Sequence, residues 1–123
     1  MDVTKYKNKI EAILAKDYDH EIPDKPRSAE FNRAIKSMLK AMFPDCTILP
    51  TKNTWCYASG FIKNENIGKY VYYCFADYRY CVWNHSILVR DAKNESDYTG
   101  GANRYTSIED MQRMVYGLLG IEQ

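Results

Sequence analysis

Apolar side chains along the chain recur first at helical and then at strand spacing. Tyr6, Ile10, Ile13 and Leu14 fall three and four residues apart within residues 4–16, with lysines between them, and this spacing predicts a short amphipathic helix. A second, stronger stripe follows Ser28, a candidate N-cap: Phe31, Ala34, Ile35, Met38, Leu39, Met42 and Phe43 line one side, while Asn32, Arg33, Lys36, Ser37 and Lys40 take the other. Pro44 closes that helix, because the residue before a proline avoids helical geometry. The polar stretch 17–26 between the two, with Pro23 and Pro26, reads as a linker or ordered loop.

From Cys46 onward the period is two. Strands are expected over 46–49, 54–62 and 69–77, with Asn64 to Gly68 as the turn between the last pair, and over 78–83 and 85–92 as one or two more. Short connections favour an antiparallel meander. A loop is expected over 93–105. A last helix then starts at a capping box, Thr106-Ser107-Ile108-Glu109, carries Ile108, Met111, Val115 and Leu118 on its apolar face and ends at Gly120. The expected fold is therefore one α+β domain, residues 1–123, in the order α-α-β-β-β-(β)-β-α. It is a four- to five-stranded antiparallel meander packed on two or three helices, with residues 1–27 at its periphery.

Neither long strand alternates apolar with polar. Trp55, Tyr57, Ser59 and Phe61 oppose Cys56, Ala58, Gly60 and Ile62, and Tyr70, Tyr72, Cys74 and Ala76 oppose Val71, Tyr73, Phe75 and Asp77. Both sheet faces then need cover, since a sheet with one wet face shows a polar row. Two readings remain open. The first helix closes the core and leaves tyrosine hydroxyls at the rim, or an aromatic face stays exposed and binds a partner.

Composition sharpens this picture at one residue type. Tyrosine occurs eleven times in 123 residues, mostly between Tyr57 and Tyr105, and suits half-buried faces and interfaces. Charge is balanced at +1, with nine basic and seven acidic side chains in residues 1–44 and eight and nine thereafter. That balance offers no basic tail for nonspecific nucleic-acid binding. The sequence has no leader-like apolar run and no stretch near the ~20 residues of a membrane span. A cytoplasmic protein with no membrane contact is expected, its four cysteines reduced, with Cys56–Cys74 as the one disulfide pairing considered.

Catalytic constellations are sparse. His20 lies in the linker, and His85 near Cys81 lacks the paired Cys-x-x-Cys of a zinc site. Asp17, Asp19 and Glu21 alternate like calcium ligands, but Ile22 stands where the sharp turn needs glycine. Gly100-Gly101 has no following Lys-Ser or Lys-Thr and is no phosphate loop. No catalytic residue, metal or cofactor is assigned. The loop is the best site candidate, gathering Asp97, Tyr98, Thr99, Gly100, Gly101, Asn103, Arg104 and Tyr105 beside Arg90, with Tyr70, Tyr72 and Arg79 as aromatic and cationic groups of the sheet.

The run Ile87-Leu88-Val89-Arg90-Asp91-Ala92-Lys93, followed by Asp97-Tyr98-Thr99-Gly100-Gly101-Ala102-Asn103, resembles a segment of small accessory proteins of bacteriophages and conjugative elements of Gram-positive bacteria. Some of those are similar to domains of large polyvalent proteins, others to anti-defence proteins such as anti-CRISPRs. The resemblance implies a mobile-element setting and a binding, non-enzymatic role, and it assigns no functional residue. The expected partner is a host or viral protein, docked on the aromatic face and the loop. Single-stranded nucleic acid, a small molecule or nucleotide, and a second copy of the chain are the alternatives.

Overall fold

Among the described residues eight elements follow one another: α1 (Thr4–Ala15), α2 (Lys25–Met42), β1 (Cys46–Pro50), β2 (Ala58–Asn64), β3 (Lys69–Phe75), β4 (Ile87–Ala92), β5 (Arg104–Thr106) and α3 (Met111–Leu119). They come from a computed structural model, which describes residues 1–16, 25–52, 56–80 and 82–121. The five strands form one antiparallel sheet in the order β1-β2-β3-β4-β5, and the expected α+β meander is what the chain adopts. Short connections enforce this order. At the β2–β3 hairpin the Asn64 side-chain oxygen accepts hydrogen bonds from the Asn66 and Ile67 amides at 3.1 and 3.2 Å.

α2 begins earlier than Ser28, at Lys25, with Pro26 in its first turn where a missing N–H costs nothing. Ser28 is thus inside the helix and buried rather than its N-cap. All seven apolar positions of the α2 stripe are buried. α2 lies over β1 and β2, α3 lies over β3 and β4, and α1 packs on α2. Ile10 and Ile13 of α1 join the same cluster as Ile62, Val71, Tyr73, Phe75, Ile87 and Val89 of the sheet. Each such side chain withdrawn from water contributes about 1.5–3 kcal/mol before chain entropy is subtracted. The helical layer is therefore one-sided. α1 thickens it and does not reach the second sheet face.

Pairing puts Gly60 opposite Tyr73. A Cβ at Gly60 would stand 2.7 Å from Pro50 Cα and 2.8 Å from the Tyr73 hydroxyl, so the absent side chain is what lets the tyrosine cross the sheet toward β1.

Three boundaries depart from the sequence pattern. Residues 78–83 are not a strand where described: Tyr78 and Trp83 both turn into the core, their rings 5.0 and 6.2 Å from Phe31, and the backbone leaves the sheet in turns. Residues 104–106, expected as loop, pair with β4 as the short edge strand β5. Thr106 consequently belongs to a strand and caps nothing. The reciprocal pair sits one residue on, with the Asp110 amide donating to Ser107 Oγ and that hydroxyl donating to the Asp110 carboxylate, each at 3.3 Å. The end of α3 is as expected, with Gly120 at φ 74° and the Ile121 amide donating back to the Tyr116 carbonyl. The expected strand start at Thr54, the linker with His20 and its alternating carboxylates, and Cys81 lie outside the described residues, apart from Lys25 and Pro26.

Candidate binding interface

Strand register sorts the side chains of the sheet into two sets. Val71, Tyr73 and Phe75 pair with Ile62, Gly60 and Ala58 on the helical side. On the other side Lys63 pairs with Tyr70, Phe61 with Tyr72, and Ser59 with Cys74, and the rows continue through Ala92, Arg90 and Leu88 of β4. Tyr105 extends the Leu88 row at the edge. No described helix packs on this second face. The residues after β4 cover its centre instead.

Phe61 is 2% exposed although it lies outside the main core. Its ring centroid stands 5.3 Å from those of Tyr72 and Tyr98, and Tyr72 and Tyr98 stand 6.0 Å apart, all edge-on. Such tilted aromatic pairs are favourable beyond their buried area. Tyr98 itself remains 47% exposed and Tyr105 62%. The face thus has a buried phenylalanine under a tyrosine lid, flanked by an uncovered tyrosine.

Arg90 ties the loop to the sheet. Its guanidinium lies 4.5 Å over the Tyr72 ring, donates to Asn103 Oδ1 at 3.3 Å and donates to the Tyr98 carbonyl. Its Nε is buried and has no hydrogen-bond partner. Lys63 lies 5.3 Å over the Tyr70 ring while pairing with Glu65 at 3.1 Å.

Asp97 shapes the loop rather than presenting charge. Its carboxylate accepts from the Lys93, Gly100 and Thr99 amides at 2.9, 2.8 and 3.3 Å, and these backbone hydrogen bonds hold its carboxyl below the ordinary carboxylate range. The Asp97 carboxylate occupies the space a side chain at position 100 would need, and Gly101 adopts φ 75° against the Asp91 carbonyl. The glycine pair is therefore a turn built around a carboxylate.

The sequence-predicted residues divide accordingly. Tyr70, Tyr72, Arg90, Tyr98, Asn103 and Tyr105 come together on or over the open face. Asp97, Gly100 and Gly101 form the loop's frame, and Thr99 is exposed on it. Arg104 pairs with Val89, so it points to the opposite side from Tyr105 and does not join them. Arg79 is also elsewhere, in the turn after β3, where its Nε donates to both Asp77 carboxylate oxygens at 3.0 Å. Phe61, Lys63, Leu49 and Leu88 belong to the face and were not among the candidates. Their signal was the period-two register with Tyr72, hidden because the loop that completes the site follows only after the next strand, β4.

Burial raises the Tyr72 hydroxyl and the Cys74 thiol above their ordinary values, so both are neutral near pH 7 and Cys74 is a poor nucleophile. Cys46, Cys56 and Cys74 are free thiols, so the Cys56–Cys74 bridge is not made. His85 lies in an exposed turn, not among strand residues. Among the described residues no three His, Cys, Asp or Glu side chains gather to hold a metal ion, and no helix is long and apolar enough to cross a membrane. No protein-family model, curated protein or solved structure matches the chain.

Proposed function

We propose that this chain is a non-enzymatic binding protein that docks on a host or viral protein through the open aromatic face and the loop 93–103. The single observation that carries the reading is the combination on one surface of Tyr98 and Tyr105, 47% and 62% exposed, over a sheet face with no helical cover among the described residues. Exposed tyrosines, with two side-chain torsions each, lose little side-chain entropy on binding and are frequent energetic anchors of interfaces. The residues that resemble phage and conjugative-element accessory proteins, Ile87 to Asn103, form β4 and this loop, which supports a mobile-element role such as inhibition of a host defence protein.

The test is affinity capture from a Gram-positive host lysate with the wild type, the double variant Tyr98→Ala/Tyr105→Ala, and Arg113→Ala as a control on exposed α3 surface. A protein retained in stoichiometric amount by wild type and control and lost by the double variant supports the reading. No enrichment, or equal retention by the double variant, overturns it.

A second reading, single-stranded nucleic acid, rests on the two cations stacked on face tyrosines, Lys63 on Tyr70 and Arg90 on Tyr72. It requires affinity that falls steeply with salt, because phosphate contacts release counterions. Fluorescence anisotropy with a labelled oligothymidine decides it: absence of binding at low salt removes it.

A further inference from the structure

Arg90 carries donors that the loop above it does not match. Strand register places it opposite Tyr72, with its guanidinium over that ring. Nη1 donates to Asn103 Oδ1 at 3.3 Å and Nη2 donates to the Tyr98 carbonyl, but the buried Nε donates to nothing. Among the described residues no carboxylate pairs with Arg90; Asp97 of the same loop accepts from the Lys93, Thr99 and Gly100 amides instead. Leaving a buried cationic donor without an acceptor is costly. The Nε and Nη2 N–H groups point the same way and form the edge of a guanidinium that takes both oxygens of a carboxylate. A carbonyl brings one oxygen and fills half of that edge.

Tyr98 shows what else the position takes. Its ring meets Phe61 and Tyr72 edge-on, at 5.3 and 6.0 Å between centroids, while its own carbonyl reaches Arg90. One residue thus supplies a ring and an acceptor oxygen, and the unpartnered Nε marks a second oxygen that Tyr98 lacks. The last residue of a polypeptide has that second oxygen, on the carbon that is the carbonyl carbon in Tyr98. A free aromatic amino acid suits the position less, because its ammonium would stand beside the Arg90 guanidinium, where a chain end carries a neutral amide. A nucleotide is a poorer match too, since a sugar separates its base from its phosphate. Tyr98 is 47% exposed, so its ring is held on one side only, and loops with few buried contacts open well before the core.

We propose that, with the loop lifted, this face binds the C-terminal aromatic residue of a partner polypeptide, its ring on Phe61 and Tyr72 and its carboxylate on Nε and Nη2 of Arg90. Tyr98 is then the internal occupant that the ligand displaces. The site goes beyond the docking function proposed above, which uses the outer side of Tyr98 with the loop closed. Tyr98→Ala separates the two, because it removes docking surface and opens this site.

The probe is a short fluorescein-labelled peptide, Gly-Ser-Gly-Ser-Gly-Tyr, with a free C-terminal carboxylate, titrated against the full chain by fluorescence anisotropy. Beside it stand the same peptide closed as an amide, and free tyrosine and thymidine monophosphate as competitors. The expected result is saturable binding of the acid peptide. The amide peptide is expected to bind about tenfold or more weakly, and so is the acid peptide to Arg90→Lys, which keeps the charge and loses the fork. Affinity for Tyr98→Ala is expected to rise severalfold, because the competing internal ring is gone. In proton–nitrogen NMR spectra of the wild type, the Arg90 Nε–H resonance is expected to move downfield with the acid peptide and to stay in place with the amide. Equal binding of acid and amide, or no binding of the acid peptide, overturns the proposal in the wild type, whatever the folding of the variants. So do unchanged or weaker binding to Tyr98→Ala, unchanged binding to Arg90→Lys, and a still Nε–H resonance. Free tyrosine or thymidine monophosphate binding as tightly as the acid peptide overturns the chain end as occupant. None of these measurements involves the host or viral partner, so failure here and failure of the docking function are read separately.

Discussion

The two faces of the sheet carry comparable apolar rows and meet different fates. On one, Tyr73, Phe75, Val71 and Ile62 disappear under α2 and α3, with α1 stacked outside. On the other, Phe61 disappears under a single tyrosine of a loop, while Tyr105 stays in water. Cover by a helix repeats every turn and is cooperative with the whole core. Cover by Tyr98 depends on a loop held by one arginine and one carboxylate. The difference teaches that equal apolarity does not mean equal stability: the loop-covered face is held by fewer and more local contacts, so its cover opens at a lower cost than the helical one.

The comparison breaks most visibly at Phe75, which is fully buried under the helices. Phe75→Ala is expected to cost about 3–5 kcal/mol in denaturant unfolding. Phe61→Ala is expected to cost less, about 2–3 kcal/mol, because the space it leaves borders a loop that is able to settle into it. Equal losses at the two positions would erase the distinction between the faces.

Tyr98→Ala removes the lid alone. A global loss of only about 1 kcal/mol is expected, with hydrogen exchange quickened at the Lys93, Thr99 and Gly100 amides and unchanged in β2 and β3. Acid probes the same loop without mutation. The Asp97 carboxyl is depressed in the folded state, so the stabilisation it gives is present above the ordinary aspartate range and is lost as pH falls through the folded value. Exchange at those three amides, corrected for the intrinsic rate, is expected to accelerate below about pH 4 in wild type and to lose that dependence in Asp97→Asn.

The smallest stability effect belongs to Tyr105→Ala, within about 0.5 kcal/mol of wild type, since the ring is mostly in water. If the open face is an interface, this same change weakens partner binding by about tenfold or more. A large stability loss here would show the ring to be structural.

Much of this architecture was readable along the chain. The α2 stripe, the meander, the hairpin at Asn64–Gly68 and the glycine stop of α3 each follow from local spacing and turn chemistry. What was misread had non-local causes. Tyr78 and Trp83 look like strand residues because aromatic rings favour strands, but their burial against Phe31 of α2 takes the backbone out of the sheet. Residues 104–106 look like loop because three residues give no period, and only the adjacent edge of β4 makes them a strand. Arg104 and Arg79 carry the right chemistry for a binding surface, yet register and the Asp77 pair take them from it.

By itself the sequence determined that this chain folds as helices packed on an antiparallel sheet with apolar side chains on both faces, because side-chain period and turn residues act within a few positions. Only the tertiary structure decided which face the helices take, that α1 doubles the helical layer, and that on the other face Tyr98 closes over Phe61. Those outcomes depend on which surfaces meet across long stretches of chain, and local spacing carries no information about that.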